Sequence, residues 1–297
     1  MKSLNLLVPL LAVLLAGCAS LQNLDVSSLT RGGSGGGGGW DITKLSNAGK
    51  ALRSGFADIS ESEEYYIGRA VSAQILARYK PLQDPGLNLY AQKIAQAVAL
   101  ASDRPSIYKG YHVQVLDTDE INAFAAPGGF IFVTKGMLAL AKSEDELACV
   151  LAHEVAHISK KHGLKTIQTA RLTSAFTTLG AEAAKHYTPE QVSKLTTAFE
   201  GAVDDVVNKL VVNGYSRDKE YEADRFAAEY AKNANYDPRA LTAFLTRMEH
   251  ASASGGGMFK THPDAAKRVS ELGTLTPPAG YRASSAREAR FANAVSL

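Results

Sequence analysis

Cysteine is nearly missing from this chain: only Cys18 and Cys149 occur in 297 residues. A scaffold held together by disulfides is thereby excluded. An excess of charge is missing too. Lys+Arg number 32 against Asp+Glu 30, a net +2, so the chain has no electrostatic footprint for nucleic acid and no nucleic-acid partner is expected. Long apolar runs are absent after the first fifteen residues, so no membrane-spanning helix is expected in the body of the chain. No internal repeat is found, and no tetratricopeptide period follows residue 270. What remains is 45% hydrophobic and 21% charged, the composition of a globular chain long enough to bury a sizeable core.

The first residues read as an address. Met1-Lys2 precedes a mostly apolar stretch, Leu4 to Leu15, which contains Pro9 and is too short to cross a bilayer. Leu15-Ala16-Gly17-Cys18 follows and resembles a bacterial lipobox. Residues 1–17 are therefore expected to be a lipoprotein signal peptide, with the lipid on Cys18; an ordinary cleavage near Ala19 and an uncleaved anchor are the weaker readings. Ala19, where an acidic residue would favour the inner membrane, resembles the enterobacterial sorting signal for the outer membrane. Several acyl chains together make a stable anchor. Residues 18–59 form a lipid-anchored tether, with Gly32-Gly33-Ser34-Gly35 through Gly39 as its flexible part. Lipid on Cys18 leaves Cys149 without a disulfide partner, so Cys149 is expected to be buried and inert.

The folded domain is expected over 60–275, with 276–297 as a C-terminal tail. Ser60 and Glu63 have capping-box spacing, and Ile67, Val71, Ile75 and Tyr79 recur at helical spacing until Pro81. Asp84-Pro85 opens a second helix. Strands are expected at Tyr111–Leu116, Ile121–Ala125 and Phe130–Thr134, with Pro127-Gly128-Gly129 turning the chain between the last two. Everything after Lys135 reads helical: one helix capped by Ser143 and Glu146 and ended by Gly163, another from Thr188 to Asn213-Gly214, then Ser216–Lys232, Pro238–Ala251 and Pro263–Leu272. The fold class is α+β and predominantly α-helical.

The chemistry concentrates in His153-Glu154-Val155-Ala156-His157. Histidines at i and i+4 share one helical face, and both imidazoles can reach a single Zn²⁺. Glu154 is rotated about 100° away. That is too far for a third ligand but suits a general base acting on water. Gly163 stands where a contiguous third histidine would be needed, so the third ligand must come from a later helix. Glu220 and Asp224, four apart on one face, offer a zinc ligand and a carboxylate to orient a ligand histidine. A solvated acidic face flanked by Arg217 and Arg225 is the competing reading, and Glu222 is the next candidate ligand. Cys149 lies on the same stripe as His153 but is tilted away from the metal. His162 reads as a structural contact or a helix cap, and Lys160 and Lys161 as a solvated helix end.

His153-Glu154-x-x-His157, the later Glu220-x-x-x-Asp224 and the preceding Asn122-Ala123-Phe124-Ala125-Ala126-Pro127-Gly128-Gly129 together resemble the HtpX/Ste/Oma-type zinc metallopeptidases, a gluzincin family. The resemblance is strongest to its periplasmic lipoprotein branch and runs from roughly Glu61 to Arg268. It implies a zincin-like domain with a small β-sheet beside the metal-binding helix and one Zn²⁺ per chain. His153, His157 and Glu220 would be the ligands, Glu154 the base, and Asp224 the residue orienting a ligand histidine. The strand carrying Asn122 and Ala123 would hold substrate backbone. Thr261-His262-Pro263 and Arg268 match a late family motif, which implies His262 near the metal and Arg268 near substrate or carboxylates; alternatively, His262 merely caps the helix begun by Pro263.

The activity so implied is that of a lipid-anchored metalloendopeptidase at the periplasmic face of the outer membrane. It would cleave misfolded or misassembled envelope polypeptides; no particular envelope partner is identified by the sequence. A non-catalytic chaperone or adaptor and a zinc hydrolase acting on a non-protein envelope polymer are the alternatives.

Overall fold

The computed structural model describes residues 61–167, 201, 203–251, 261, 262, 264–282 and 284–295. Ser60, the leader with Cys18, the tether, the helix start expected at Thr188, Ser252–Gly257 and Pro263 lie outside the described residues. The chain forms two compact units, one of Met1–Glu64 with Ile167–Ala202 and one of Tyr65–Thr166 with Val203–Leu297. Nearly all described residues belong to the second.

Its elements in order are α1 (Glu61–Arg78), α2 (Pro85–Leu100), β1 (His112–Leu116), β2 (Ala123–Ala126), β3 (Phe130–Thr134), α3 (Lys135–Leu140), α4 (Glu144–Ser159) and α5 (His162–Ile167). Then come a π turn at Lys209–Asn213, α6 (Arg217–Asn233), α7 (Arg239–Ala251), α8 (Ala265–Leu272) and α9 (Ser285–Ala294). The fold is mainly helical with one three-stranded sheet of order β1-β3-β2. β1 runs parallel to β3, in register from His112 against Phe130 to Leu116 against Thr134, and β2 runs antiparallel to it. The α+β expectation and the small sheet are met. The strand expected at Ile121–Ala125 begins two residues later, because Ile121 and Asn122 are taken up by the approach to the sheet. There Asn122 N–H donates to Thr134 Oγ1 at 3.1 Å.

Local chemistry sets the helix ends. Asp84 accepts from Leu87 N–H at 2.9 Å with Pro85 at the first helical position, as the sequence predicts. Ser143 accepts from Glu146 N–H at 3.2 Å. The reciprocal half of the capping box is different: Glu146 accepts from Lys142 N–H at 2.7 Å and receives Arg247 as a fork. Gly163 does not end α4. Lys160 closes that helix, Lys161 takes the left-handed conformation at φ 56°, and Gly163 sits inside α5 against Pro127, where a Cβ would meet the proline ring at 3.3 Å. Gly68 allows α1 an equally close approach to the same turn, since a Cβ there would stand 1.8 Å from the Pro127 carbonyl oxygen.

α4 is the centre of the unit. From Leu147 to Ser159 every residue is buried, against α2, α6, α7 and β2. A helix apolar on all sides but for His153, Glu154 and His157 buries those polar groups as well, which is tolerable only if partners are supplied. Residues 276–297 are not a bare tail. They contain α9, whose Arg290 forks onto Glu144 at 2.7 and 3.1 Å, while Tyr281 and Arg287 reach Asp145. Among the described residues no helix is long and apolar enough to cross a membrane.

Candidate active site

α4 presents His153 and His157 one turn apart, with ring nitrogens Nε2 and Nε2 3.0 Å from each other. α6 brings Glu220 beneath them: Oε2 lies 3.4 Å from His153 Nε2, and Oε1 lies 3.5 Å from His157 Nε2. His262, entering from the chain before α8, places Nδ1 3.3 Å from His153 Nε2 and 2.9 Å from Glu220 Oε2. All four donor atoms lie within 4.8 Å of one another and all four residues are buried. A tetrahedral zinc with bonds of about 2.0–2.1 Å sets its ligand atoms about 3.3–3.4 Å apart. The observed separations straddle that value.

The surrounding charges fit the same ion. Glu220 Oε1 and both oxygens of Glu154 are buried without a hydrogen-bond partner from the protein, an arrangement that a divalent cation and the water it holds would satisfy. Burial would raise the Glu220 carboxyl, but His262, His153 and Arg268 hold it well below the usual carboxylate range. Burial and Arg268 push His153 down, yet its bonds to Asp224 and Glu220 bring it up to about 9. The cluster thus draws positive charge to the point where the donor atoms converge. Burial pushes His157 down and keeps its imidazole neutral. Burial also raises Glu154 above the usual carboxylate range, the direction that makes it a stronger base.

Each ligand histidine has an outer partner. His153 Nδ1 lies 2.9 Å from Asp224 Oδ1, and Arg268 forks onto Asp224 at 2.6 and 2.7 Å. Arg268 is 1% exposed and reaches toward Glu220 Oε2 at 3.6 Å. Its neighbours are carboxylates, one of the two settings expected for it. His157 Nδ1 lies 2.8 Å from His162 Nδ1. The Tyr215 ring stacks on His157 at 4.4 Å between centroids. Glu222 bonds His162 and stands outside the donor cluster. Lys160 is no solvated end, since its ammonium lies 3.2 Å over the Phe226 ring and pairs with Asp103. Cys149 is buried and points at the Asp237 carbonyl, and burial drives its thiol pKa up, so it is inert as expected.

β2 is an edge strand of the sheet beside this cluster, and Ala123, Phe124, Ala125, Glu154, Leu210 and His262 line a closed cleft with no room for a water molecule. The Asn122 side chain is committed inward, donating to Glu120 Oε1 at 3.0 Å and accepting from Thr261 at 3.1 Å. Asn122 Oδ1 also accepts from Ala123 N–H at 2.9 Å, so Asn122 ties His262's neighbour to the strand. Gly214, at φ 69°, lets the chain pass Thr261 so closely that a Cβ would stand 2.1 Å from its carbonyl oxygen.

The model of the peptidase family M48 matches residues 85–276, more than half of the chain. The chain belongs to peptidase family M48. It is a zinc metallopeptidase, and the buried histidine and carboxylate cluster could hold the ion. It is 27% identical over 250 residues to the mitochondrial metalloendopeptidase OMA1 of Schizosaccharomyces pombe, covering 82% of this chain and 70% of that protein. It is 23% identical over 216 residues to the beta-barrel assembly-enhancing protease of Escherichia coli, covering 72% and 44%. It is 27% identical over 187 residues to the metalloprotease YcaL of the same organism, covering 62% and 68%. The chain therefore spans less than half the length of the beta-barrel assembly-enhancing protease. Residues missed or undervalued in the sequence are His162, Glu222 and Tyr215. His162 and Glu222 were visible as polar residues near the motif, but their pairing spans sixty positions and has no local signature.

Proposed function

We propose that this M48 member is a lipid-anchored endopeptidase, held by Cys18 at the periplasmic face of the outer membrane and cleaving misfolded or misassembled envelope polypeptides. The carrying observation is Glu154: a fully buried carboxylate, neither oxygen hydrogen-bonded to the protein, beside three convergent candidate ligand groups. A pure binding protein has no use for a desolvated base at that point. The lipobox-like Leu15–Cys18 and the relatives named for β-barrel assembly support the envelope setting.

His153, His157 and Glu220 would hold the zinc, which would supply Lewis-acid activation of water and of the scissile carbonyl. Glu154 accepts the proton of the attacking water and delivers it to the leaving amine. Asp224 fixes the tautomer of His153 by accepting from its Nδ1–H, and Arg268 fixes Asp224. The β2 edge at Ala123 pairs with extended substrate backbone, which requires the cleft at Leu210 and His262 to open.

The test is Glu154→Gln. The variant should keep zinc and lose cleavage of an unfolded protein such as casein. Removal of the general base is worth about 10²–10⁴-fold in rate. Cleavage at the wild-type rate would reject the assignment. Fractionating cells that carry Cys18→Ser tests the anchor: release from membranes with retained peptidase activity is expected.

A further inference from the structure

The two ligand histidines are supported in different ways. His153 leans directly on a buried carboxylate, Asp224, which is itself locked by Arg268. His157 has no carboxylate at its outer nitrogen; it has another histidine, with His162 Nδ1 at 2.8 Å. The far nitrogen of His162, Nε2, then stands 3.1 Å from Glu222 Oε2. The His162 side chain is 1% exposed, whereas that of Glu222 is 36% exposed, so the chain of contacts begins at the metal site and ends at the surface.

Hydrogen-bond chemistry fixes its direction. If Nε2 of His157 faces the metal, the proton of this neutral imidazole sits on Nδ1 and is donated outward. The acceptor is His162 Nδ1, which therefore carries no proton. The proton of neutral His162 sits on Nε2 and is donated to the Glu222 carboxylate. Each member sets the tautomer of the next, and reversing His162 breaks both bonds.

We propose that His162 and Glu222 form a surface-reaching relay that positions the zinc ligand His157. They are positioning residues: neither reaches the donor cluster. His162 stands on α5, beyond the left-handed turn at Lys161, and Glu222 stands on α6, two residues after the ligand Glu220. The relay therefore also ties the helix that supplies Glu220 to the one that supplies His157. It makes zinc affinity dependent on a carboxylate that solvent and other proteins can reach.

The inference rests on His157 being a zinc ligand, and the experiment separates the two. The zinc dissociation constant of the full chain is measured by competition with a chromophoric chelator, alongside thermal unfolding of each zinc-free variant. A wild-type chain that binds no zinc would reject the site itself. Given binding, His162→Gln, which places no acceptor at the Nδ1 position, should weaken zinc by about 10- to 100-fold, the usual loss for removing a ligand's outer partner. His162→Asn puts an oxygen where Nδ1 stood and should recover most of that loss. Glu222→Ala, at a part-exposed position that tolerates truncation, should weaken zinc less than His162→Gln, and Glu222→Gln should restore it. The relay is overturned if His162→Gln and Glu222→Ala bind zinc like the wild type. It is overturned equally if His162→Asn falls as far as His162→Gln while both fold.

Discussion

Arg268→Met separates what stabilises the fold from what holds the metal. The guanidinium is buried with Asp224 on two of its nitrogens, at 2.6 and 2.7 Å, and Glu220 at 3.6 Å from a third. Methionine fills much of the same volume but leaves the buried Asp224 carboxylate without its cation, whereas Glu220 keeps His153 and His262. Breaking a buried pair by removing one partner costs about 3–5 kcal/mol. For a domain of this size each kcal/mol moves Tm by about 2–4 °C, so the zinc-free variant should melt roughly 6–20 °C below the wild type. Removing Asp224 as well, in R268M/D224L, takes away the stranded charge and should recover most of that loss, because deleting both partners of a buried pair is far cheaper than deleting one. Zinc should not recover with it. Asp224 orients His153, so the double variant should bind zinc about 10- to 100-fold more weakly than the wild type although it melts near it. Calorimetric unfolding and chelator competition on the same three proteins decide this. A double variant as unstable as R268M, or one whose zinc affinity returns with its Tm, would refute the reasoning.

His262 Nδ1 occupies the fourth corner of the donor set, so His262→Ala should open that position and raise hydrolysis of short unstructured peptides; a large fall in kcat with zinc content unchanged would instead assign His262 to the transition state. Truncation after residue 276 removes Arg287 and Arg290 from Glu144 and Asp145, and should lower Tm by several degrees in a thermal melt, a change absent if α9 is only an appendage. Burial would raise the Asp237 carboxyl, but Arg239 holds it below the usual carboxylate range. A depressed folded pKa stabilises above the unfolded value of about 3.9 and loses that contribution as pH falls through the folded value. Asp237→Asn should therefore be less stable than the wild type near neutrality, by under about 1 kcal/mol, and the two should converge in acid.

How much of this was legible beforehand varied with the range of the interaction. The Asp84 and Ser143 caps, the strand Phe130–Thr134 and the His153/His157 face follow from residues within four positions of each other, and the sequence places them correctly. The third ligand required a jump of more than sixty residues. Spacing alone left Glu220 in competition with a solvated acidic face, and only the family resemblance favoured it. Gly163 misled because glycine after a helix so often terminates it; here Lys161 takes the left-handed turn and Gly163 is kept small by Pro127. α9 was invisible because its arginines act on Glu144 and Asp145, some 140 positions away, and nothing in a short polar helix announces such a partner. Glu222 was weighed as a metal ligand. Its true partner, His162, was visible only as a histidine past the end of α4.

These long-range pairings share one target, which explains their placement. A metal ligand set must be held to within about 0.5 Å to work, and α4 carries two of the proposed ligands and the proposed base at once. A single helix is free to slide or rotate as a body unless it is tied at both ends. Its N-terminal carboxylates are tied by Arg247 from α7 and by Arg287 and Arg290 from α9. Its last turn is tied through His157 to His162 and through His153 to Asp224 and Arg268. Acidic residues at that N-terminus also favour the helix dipole, so the charges that anchor α4 stabilise it as a helix. Opposite this fixed frame, Thr261 and His262 are held by hydrogen bonds to Asn122, Tyr215 and Glu220. The Asn122 and Tyr215 bonds are of neutral type, each worth about 1 kcal/mol net, against several for the buried ion pairs of the frame. If the cleft at β2 opens for substrate, those are the contacts that yield first, and the side chain they release is the one standing at the fourth corner of the metal site.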